Sequence, residues 1–517
     1  MDDKLILAID FGTQSVRALV FDPRGEIIAR GQRPVAAYTH PQPGWTEHDV
    51  NAFWVLVADA CQDLWANSPI TPQMIDAVVV TTQRATVINL DSAGQPLRPA
   101  IIWTDQRRAL AQAKLPWYWR VLFKLLGIHG TVKNLEMEAE ASWLAQNQPE
   151  ILAKTAHYLL LSGYLNYRFT NNYVDSVGSQ VGYIPFDFKR QDWCVDSDWK
   201  WACMPVTREM LPTLLPVGSL LGEVTEAAAE DTGLPVGVPV FAGAADKACE
   251  VLGSGAIKAG IASISCGTTA TINTTQSRYI EVVPFMPAYP AAIPACYNTE
   301  IQVFRGFWLV TWFKEQFGQQ EQLRAAKGGP SAEALLDDLL GGTNPGADGL
   351  LLQPFWNPVV GETGPEGRGS IIGFNESHTR AHVYRALIEG LAYALRSGKE
   401  KIERRTKRPI DAVRVAGGGA QSDAVMQVLA DVLNLPAERL SHHEASGLGA
   451  AIIGATSLGC YESIEEAAAA MTHVADCFRP NEETALLYER LYEEVYQKQY
   501  GRLKPLYLAL TKFNFWQ

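Results

Sequence analysis

Apolar residues along this 517-residue chain come in short runs, and the runs differ in period. Residues 5–9 and 16–21 are near-continuous apolar stretches separated by Gly12, Thr13, Gln14 and Ser15. They predict two strands joined by a tight turn. Residues 75–83 (IDAVVVTTQ) and 238–248 (VPVFAGAADKA) read as buried strands leading into polar tips. Residues 381–405 place apolar side chains at helical spacing and end in a basic turn, which predicts a long helix. Residues 411–436 read as strand, triple glycine and amphipathic helix. Strands alternating with helices predict an α/β fold with parallel or mixed sheets covered by helices.

One pattern occurs twice. Residues 260–275 (GIASISCGTTATINTT) again give a strand, a Gly-Thr turn and a second strand, which sets Thr13 against Thr268. A duplicated fold whose two halves face one nucleotide would produce this echo; two unrelated Gly-Thr hairpins would as well. The domain boundary is expected near residues 247–258, dividing the chain into 1–250 and 251–517. Residues 341–349, rich in Gly and Pro, read as a surface loop.

Length calls for at least two domains with sizeable cores. Hydrophobic residues make up 47% and charged ones 19%, ordinary values for a globular protein. A net charge of −12 argues against an extended nucleic-acid or acidic-membrane surface. Any anion site must then be built from local donors. Eight cysteines are scattered singly from Cys61 to Cys477 with no CxxC pair, a pattern of reduced thiols. The opening MDDKLILAID puts two acids before an apolar run too short for a signal peptide, and no stretch reaches bilayer-spanning length. The expectation is a soluble cytoplasmic protein.

Several positions carry candidate chemistry. A turn needs Gly12 but does not need Asp10 in an apolar strand; a carboxylate beside free backbone N–H groups suits a phosphate and its magnesium. An ordinary hairpin remains the other reading. Asp246 follows the small residues Gly243, Ala244 and Ala245. There it could take a proton from a hydroxyl attacking phosphorus, or simply cap a helix. VAGGGAQSD (residues 415–423) fits neither a Rossmann nor a Walker pattern; its glycines admit a base or phosphate, or relieve helix–sheet packing. Gln83, Arg84, Trp103, Asp105 and Arg107 stand at strand tips, where an amide, a guanidinium and an indole face suit a polyol. Salt bridges and core packing account for such residues equally well.

Taken in order, DFGTQSVR, PGWTEHD, GAAD, SCGTT, GSIIGFNESHTRAHVYRALIE (residues 369–389) and GGGAQSD resemble the FGGY carbohydrate kinases of the actin-like ATPase superfamily. The resemblance covers nearly the whole chain, and PGWTEHD is closest to a segment of glycerol kinases. It implies two RNase H-like domains around a central cleft, the first holding the sugar and the first phosphate motif, the second the nucleotide. It implies ATP and Mg2+ as cofactors and a small-molecule sugar or polyol as partner, with neither nucleic acid nor membrane; homodimerisation is open. Residue by residue, Thr13, Gln14 and Arg17 would meet the transferring phosphate, Gly267 and Thr268 the other phosphates. Gly418, Gly419, Ala420 and Asp423 would line the adenosine pocket. Asp10 would organise the metal through water, as would Asp246, which is also the implied general base. Gln83, Arg84, Trp103, Asp246 and Lys247 would hold the sugar.

Departures bear on the substrate. Ala85 stands where glycerol kinases carry a hydroxyl-binding glutamate, Leu135 near their substrate tyrosine, and Lys247 in place of a glutamine. The Met-His pair of xylulokinases is missing beside Gln83 and Arg84. Glu140 replaces a lysine and Phe374 an aliphatic residue of the family signatures, within which His382, Ala386 and Glu389 are as expected. The expected activity is ATP-dependent phosphorylation of a ketopentose, xylulokinase-like, with glycerol or another polyol as the alternative. A non-kinase actin-like ATPase is a further reading, which Asp246, Trp103 and the signature argue against; a degenerate member acting as a sugar sensor is a third, with Glu140 and Ala85 as its signs.

Overall fold

The computed structural model describes residues 4–113, 115–284, 286–358 and 363–513. Asp2 and Asp3, the acids of the opening run, lie outside them. Two large sheets dominate. The first orders its strands Leu220–Glu223, Pro239–Phe241, Ala77–Thr82, Ile6–Phe11, Ser15–Phe21 and Ile27–Pro34. Its last three strands form an antiparallel meander, while Ala77–Thr82 and Pro239–Phe241 run parallel to Ile6–Phe11. The second sheet orders Tyr289–Pro290, Tyr297–Val303, Ala270–Gln276, Ile261–Cys266, Ala412–Ala416, Ala437–Leu440 and Val474–Phe478.

Read outward from the Gly-Thr hairpins, five strands repeat in order and direction. Ile261–Cys266 corresponds to Ile6–Phe11, and Ala412–Ala416 runs parallel to it as Ala77–Thr82 does to its counterpart. The sixth strand breaks the repeat. Leu220–Glu223 precedes its neighbour in the chain, whereas Val474–Phe478 follows its own, though both lie antiparallel at the edge.

Alternation places successive side chains on opposite faces, and both faces of the first sheet are covered. Leu7, Ile9, Val16, Ala18 and Val20 pack with residues of Val50–Ala66. The other face, with Ile6, Ala8, Leu19, Phe21 and Val79, packs against Leu448, Ile452 and Ile453 of Ala445–Ser457, a helix from the far half of the chain. That helix crosses Asp246–Gly253 at glycine. A Cβ on Gly253 would lie 1.9 Å from the Ala445 carbonyl oxygen, and one on Gly449 2.0 Å from that of Cys249.

The long predicted helix spans Arg380–Thr406 and starts at a capping box in which Thr379 and His382 answer each other. Signature residue Glu389 is buried within it and accepts from the Tyr488 hydroxyl at 2.7 Å and the Gly346 N–H at 2.9 Å. The loop at 341–349 is thereby pinned at its tip, with Ala347 fully buried. Asp246 does not end a strand: it opens a helix five residues after Phe241, where Pro239–Phe241 closes. Among the described residues no helix is long and apolar enough to cross a membrane.

Candidate active site

The first hairpin builds an ion pair from its own register. Asp10 and Arg17 are directly opposed across the strands, and Arg17 Nη1 lies 3.2 Å from Asp10 Oδ2. The same nitrogen reaches Glu444 Oε2 of the far half at 3.2 Å, and Arg30 Nη1 lies 3.6 Å from Glu444 Oε1. With Glu250, Gly417, Gly418 and Ser446 these groups line a cavity of about 400 Å3. Burial pushes the Asp10 carboxyl up to about 7; Arg17 opposes this, and the charges of Asp246 and Glu444 add to it.

A raised carboxyl pKa has a definite sign in stability. The unfolded chain ionises Asp10 near its ordinary 3.8, so keeping the group buried costs increasingly more from there up to about pH 7. Asp10→Asn is therefore expected to raise the melting temperature of the ligand-free protein at pH 8, with a gain that shrinks toward pH 5. A lower melting temperature at both pH values would mean that the Arg17 ion pair outweighs burial.

Beyond Ala77–Thr82 the chain bends sharply, because Ala85 holds the left-handed φ of 56° while its N–H donates to the Val181 carbonyl at 3.0 Å. Gln83 and Arg84 part company there. Gln83 goes to the first turn: Thr13 Oγ1 donates to Gln83 Oε1 at 3.0 Å, and Trp103 Nε1 donates to Thr13 Oγ1 at 3.0 Å. Tyr38 OH fixes the same turn by donating to the Thr13 carbonyl at 2.8 Å. Gln83 Nε2 is buried without a protein partner among the described residues. Arg84 goes to the other half, where Nη2 donates to Glu300 Oε1 at 3.1 Å and the guanidinium sits 5.2 Å from the Tyr289 ring.

Asp246 stands at the junction. It is half-buried, and desolvation raises its carboxyl above the ordinary value while the charges of Arg84 and Lys247 pull it down. Its Oδ1 accepts from the Lys247 N–H at 2.7 Å. The Lys247 ammonium turns toward the second half, donating to Ser265 Oγ at 2.7 Å and to Glu250 Oε2 at 3.1 Å. Ser265 lies two residues before Gly267, so Lys247 supports the second turn.

The nucleotide-side residues divide. Gly418 faces open space and lines the cavity. Gly419 is packed, since a Cβ there would lie 2.6 Å from the Phe307 ring, and the Phe307 N–H donates to the Gly267 carbonyl at 3.0 Å. Thr268 is exposed at the tip of its turn, as Gln14 is on the first. Ala420 is buried, and Arg439 Nη1 donates to its carbonyl at 3.3 Å and to Asp423 Oδ1 at 2.7 Å.

Two strand-tip candidates have structural work instead. Arg107 lies between the rings of Trp45 and Trp143, at 4.2 and 4.6 Å, and its Nη2 donates to Asp105 Oδ2 at 2.8 Å and Glu47 Oε1 at 2.9 Å. Beside them burial pushes the Glu140 carboxyl up to about 8. Glu300, Tyr289 and Glu444 were not anticipated from the sequence. The signal for Glu300 was a carboxylate within the alternating run YNTEIQV (residues 297–303), and for Glu444 an acid just ahead of the small-residue helix.

Residues 5–253 match the N-terminal domain of the FGGY family of carbohydrate kinases, and residues 262–458 match its C-terminal domain. The chain belongs to that family and is a carbohydrate kinase with the two-domain actin-like ATPase fold. It is 28% identical over 511 residues to a xylulose kinase of Staphylococcus epidermidis, covering 98% of each chain. A glycerol kinase of Thermococcus onnurineus is 28% identical over 477 residues, covering 90% of this chain and 91% of its own. The crystal structure of a xylulose kinase from Rhodospirillum rubrum matches with a TM-score of 0.81 at 24% identity, over 98% of this chain and 100% of that one, a likeness of fold.

Proposed function

We propose that the enzyme transfers the terminal phosphoryl group of ATP to a hydroxyl of a ketopentose of the xylulose type. The observation that carries the reading is Asp246: a half-buried carboxylate at the junction of the halves, with the charges of Arg84 and Lys247 acting on it. Residues 1–250 would hold the sugar and the first phosphate turn, residues 251–517 the nucleotide. Glycerol or another polyol is the second reading, favoured by Arg84 and Trp103 at glycerol-kinase positions and by the glycerol-kinase relative.

The cavity suits a magnesium nucleotide in shape and chemistry. Arg17 and Arg30 offer guanidinium donors, Arg17 Nε is buried without a protein partner among the described residues, and Gly418 leaves the wall open. Bound there, ATP with its Mg2+ would supply the phosphoryl group and depart as ADP. Thr13, Gln14 and Arg17 would hold the transferring phosphate, Gly267 and Thr268 the others. Gly418, Gly419, Ala420 and Asp423 would border the adenosine. Asp10 and Asp246 would reach the metal through water. Gln83, Arg84, Trp103 and Lys247 would orient the sugar so that the attacking hydroxyl gives its proton to Asp246 as the new O–P bond forms. A base with a raised pKa, held in place beforehand, suits that transfer near neutral pH.

A coupled assay across pentuloses, pentitols, hexuloses and glycerol tests the reading. The highest kcat/KM is expected for a ketopentose; ATP hydrolysis indifferent to every sugar would overturn it. Arg84→Ala is expected to raise the sugar KM about ten- to hundredfold, since a lost charged hydrogen bond costs about 1.5–3 kcal/mol. An unchanged sugar KM would remove Arg84 from the site.

A further inference from the structure

The Arg84 guanidinium has two carboxylates acting on it, one from each half of the molecule. Asp246 opens the helix of the first half, and Glu300 stands on Tyr297–Val303 of the second. Only Glu300 makes the hydrogen bond recorded for the Arg84 side chain, Nη2 to Oε1 at 3.1 Å. The pair is well shielded, with the Arg84 side chain 18% and the Glu300 side chain 2% exposed. Glu300 is itself held, because the Gln302 amide donates to the same Oε1 and the strand pairs on both sides. Tyr289, paired with Asn298 on the neighbouring strand, supplies the face on which the guanidinium rests. An arginine fork held by a fixed carboxylate and a ring keeps one orientation, and a planar guanidinium transmits orientation to whatever it binds.

We propose that Glu300 is a positioning residue for the sugar, acting through Arg84: it draws the guanidinium away from Asp246 and presents it to the substrate hydroxyls. The inference rests on the kinase reading above. Its physical content is a competition. With Glu300 in place, Arg84 is anchored by the second half, and the Asp246 carboxylate stays available to accept a proton. Without the Glu300 charge, Asp246 is the remaining carboxylate acting on Arg84. The arginine would then close on the base and lose its aim at the sugar. Because the anchor and the arginine come from opposite halves, the sugar side is complete only when the two halves meet.

Glu300→Gln keeps the shape and removes the charge. The sugar KM is expected to rise about tenfold or more while the ATP KM stays within about twofold, and kcat is expected to fall. A rise in the sugar KM with the ATP KM left in place is a split that loosened packing alone does not produce. If Glu300 acts through Arg84, the double variant Arg84→Ala/Glu300→Gln is no worse than Arg84→Ala. Effects that multiply in the double variant, or sugar and ATP KM values that rise together, would overturn the proposal. Should Glu300→Gln fail to fold, Glu300→Asp draws the carboxylate back from Arg84 by one methylene and is expected to raise the sugar KM alone; wild-type constants in that variant would also overturn the proposal. Wild-type turnover in Asp246→Asn would strike the kinase reading itself. A dead Asp246→Asn beside wild-type-like Glu300 variants would strike this inference alone.

Discussion

Asp246→Asn is expected to lower kcat by about 10²–10⁴-fold while leaving the ATP KM and the melting temperature close to wild type. Phosphoryl transfer asks a protein for alignment, charge neutralisation and one proton acceptor, and little covalent chemistry. Asparagine keeps the size of the side chain and can still accept from the Lys247 N–H, so the start of the helix should persist. What it cannot do is take up the proton. The variant also removes a half-buried negative charge that acts on Arg84 and Lys247, both of which keep other carboxylate partners, Glu300 and Glu250. Measuring kcat against pH in both proteins separates loss of the base from loss of binding. A variant that turns over sugar at near wild-type rate would remove Asp246 from the chemistry.

Gly449→Ala is expected to disrupt the crossing of two interior helices strongly. The added Cβ would stand 2.0 Å from the Cys249 carbonyl oxygen and 2.6 Å from its carbon, a wall of backbone that no rotamer can clear. Overpacking a core costs about 1–3 kcal/mol even where side chains can shift. Here the helices Asp246–Gly253 and Ala445–Ser457 must move apart, so the melting temperature should drop by several degrees. Sugar-dependent turnover should drop with it, because Asp246 sits on the first turn of one of the two helices. Gly341→Ala is the control, since a Cβ there meets nothing within 4 Å. Equal melting temperatures for the two variants would show that the crossing is slack.

Local pattern carried much of this architecture. The two Gly-Thr hairpins, the Arg380–Thr406 helix and the strand–glycine–helix of residues 411–436 all follow from periods of two and 3.6 that neighbouring residues enforce. What pattern could not show is which tips face one another. Arg84 reads as a sugar ligand, yet its partner Glu300 is 216 positions away. Lys247 reads as a second sugar ligand, but its ammonium points to Ser265, a direction set by how the helix docks on the second sheet. Asp105 and Arg107 have the residue types of a polyol site, and only the tryptophans on either side reveal a buried ion pair. The edge strands also escaped, because the repeat of five strands gives no hint that the sixth joins from opposite directions along the chain.

The Thr13 hydroxyl has a single hydrogen to give. It gives it to Gln83 and takes one from Trp103, the two groups proposed for the sugar side, although Thr13 itself is proposed for the phosphate. A phosphate oxygen arriving at that turn can receive the same hydrogen only when Gln83 releases it. A sugar hydroxyl reaching Gln83 offers the amide oxygen another donor. On the proposed assignments the two substrates would negotiate over one proton, and an empty sugar side would leave the alcohol turned away from the nucleotide, a brake on idle hydrolysis.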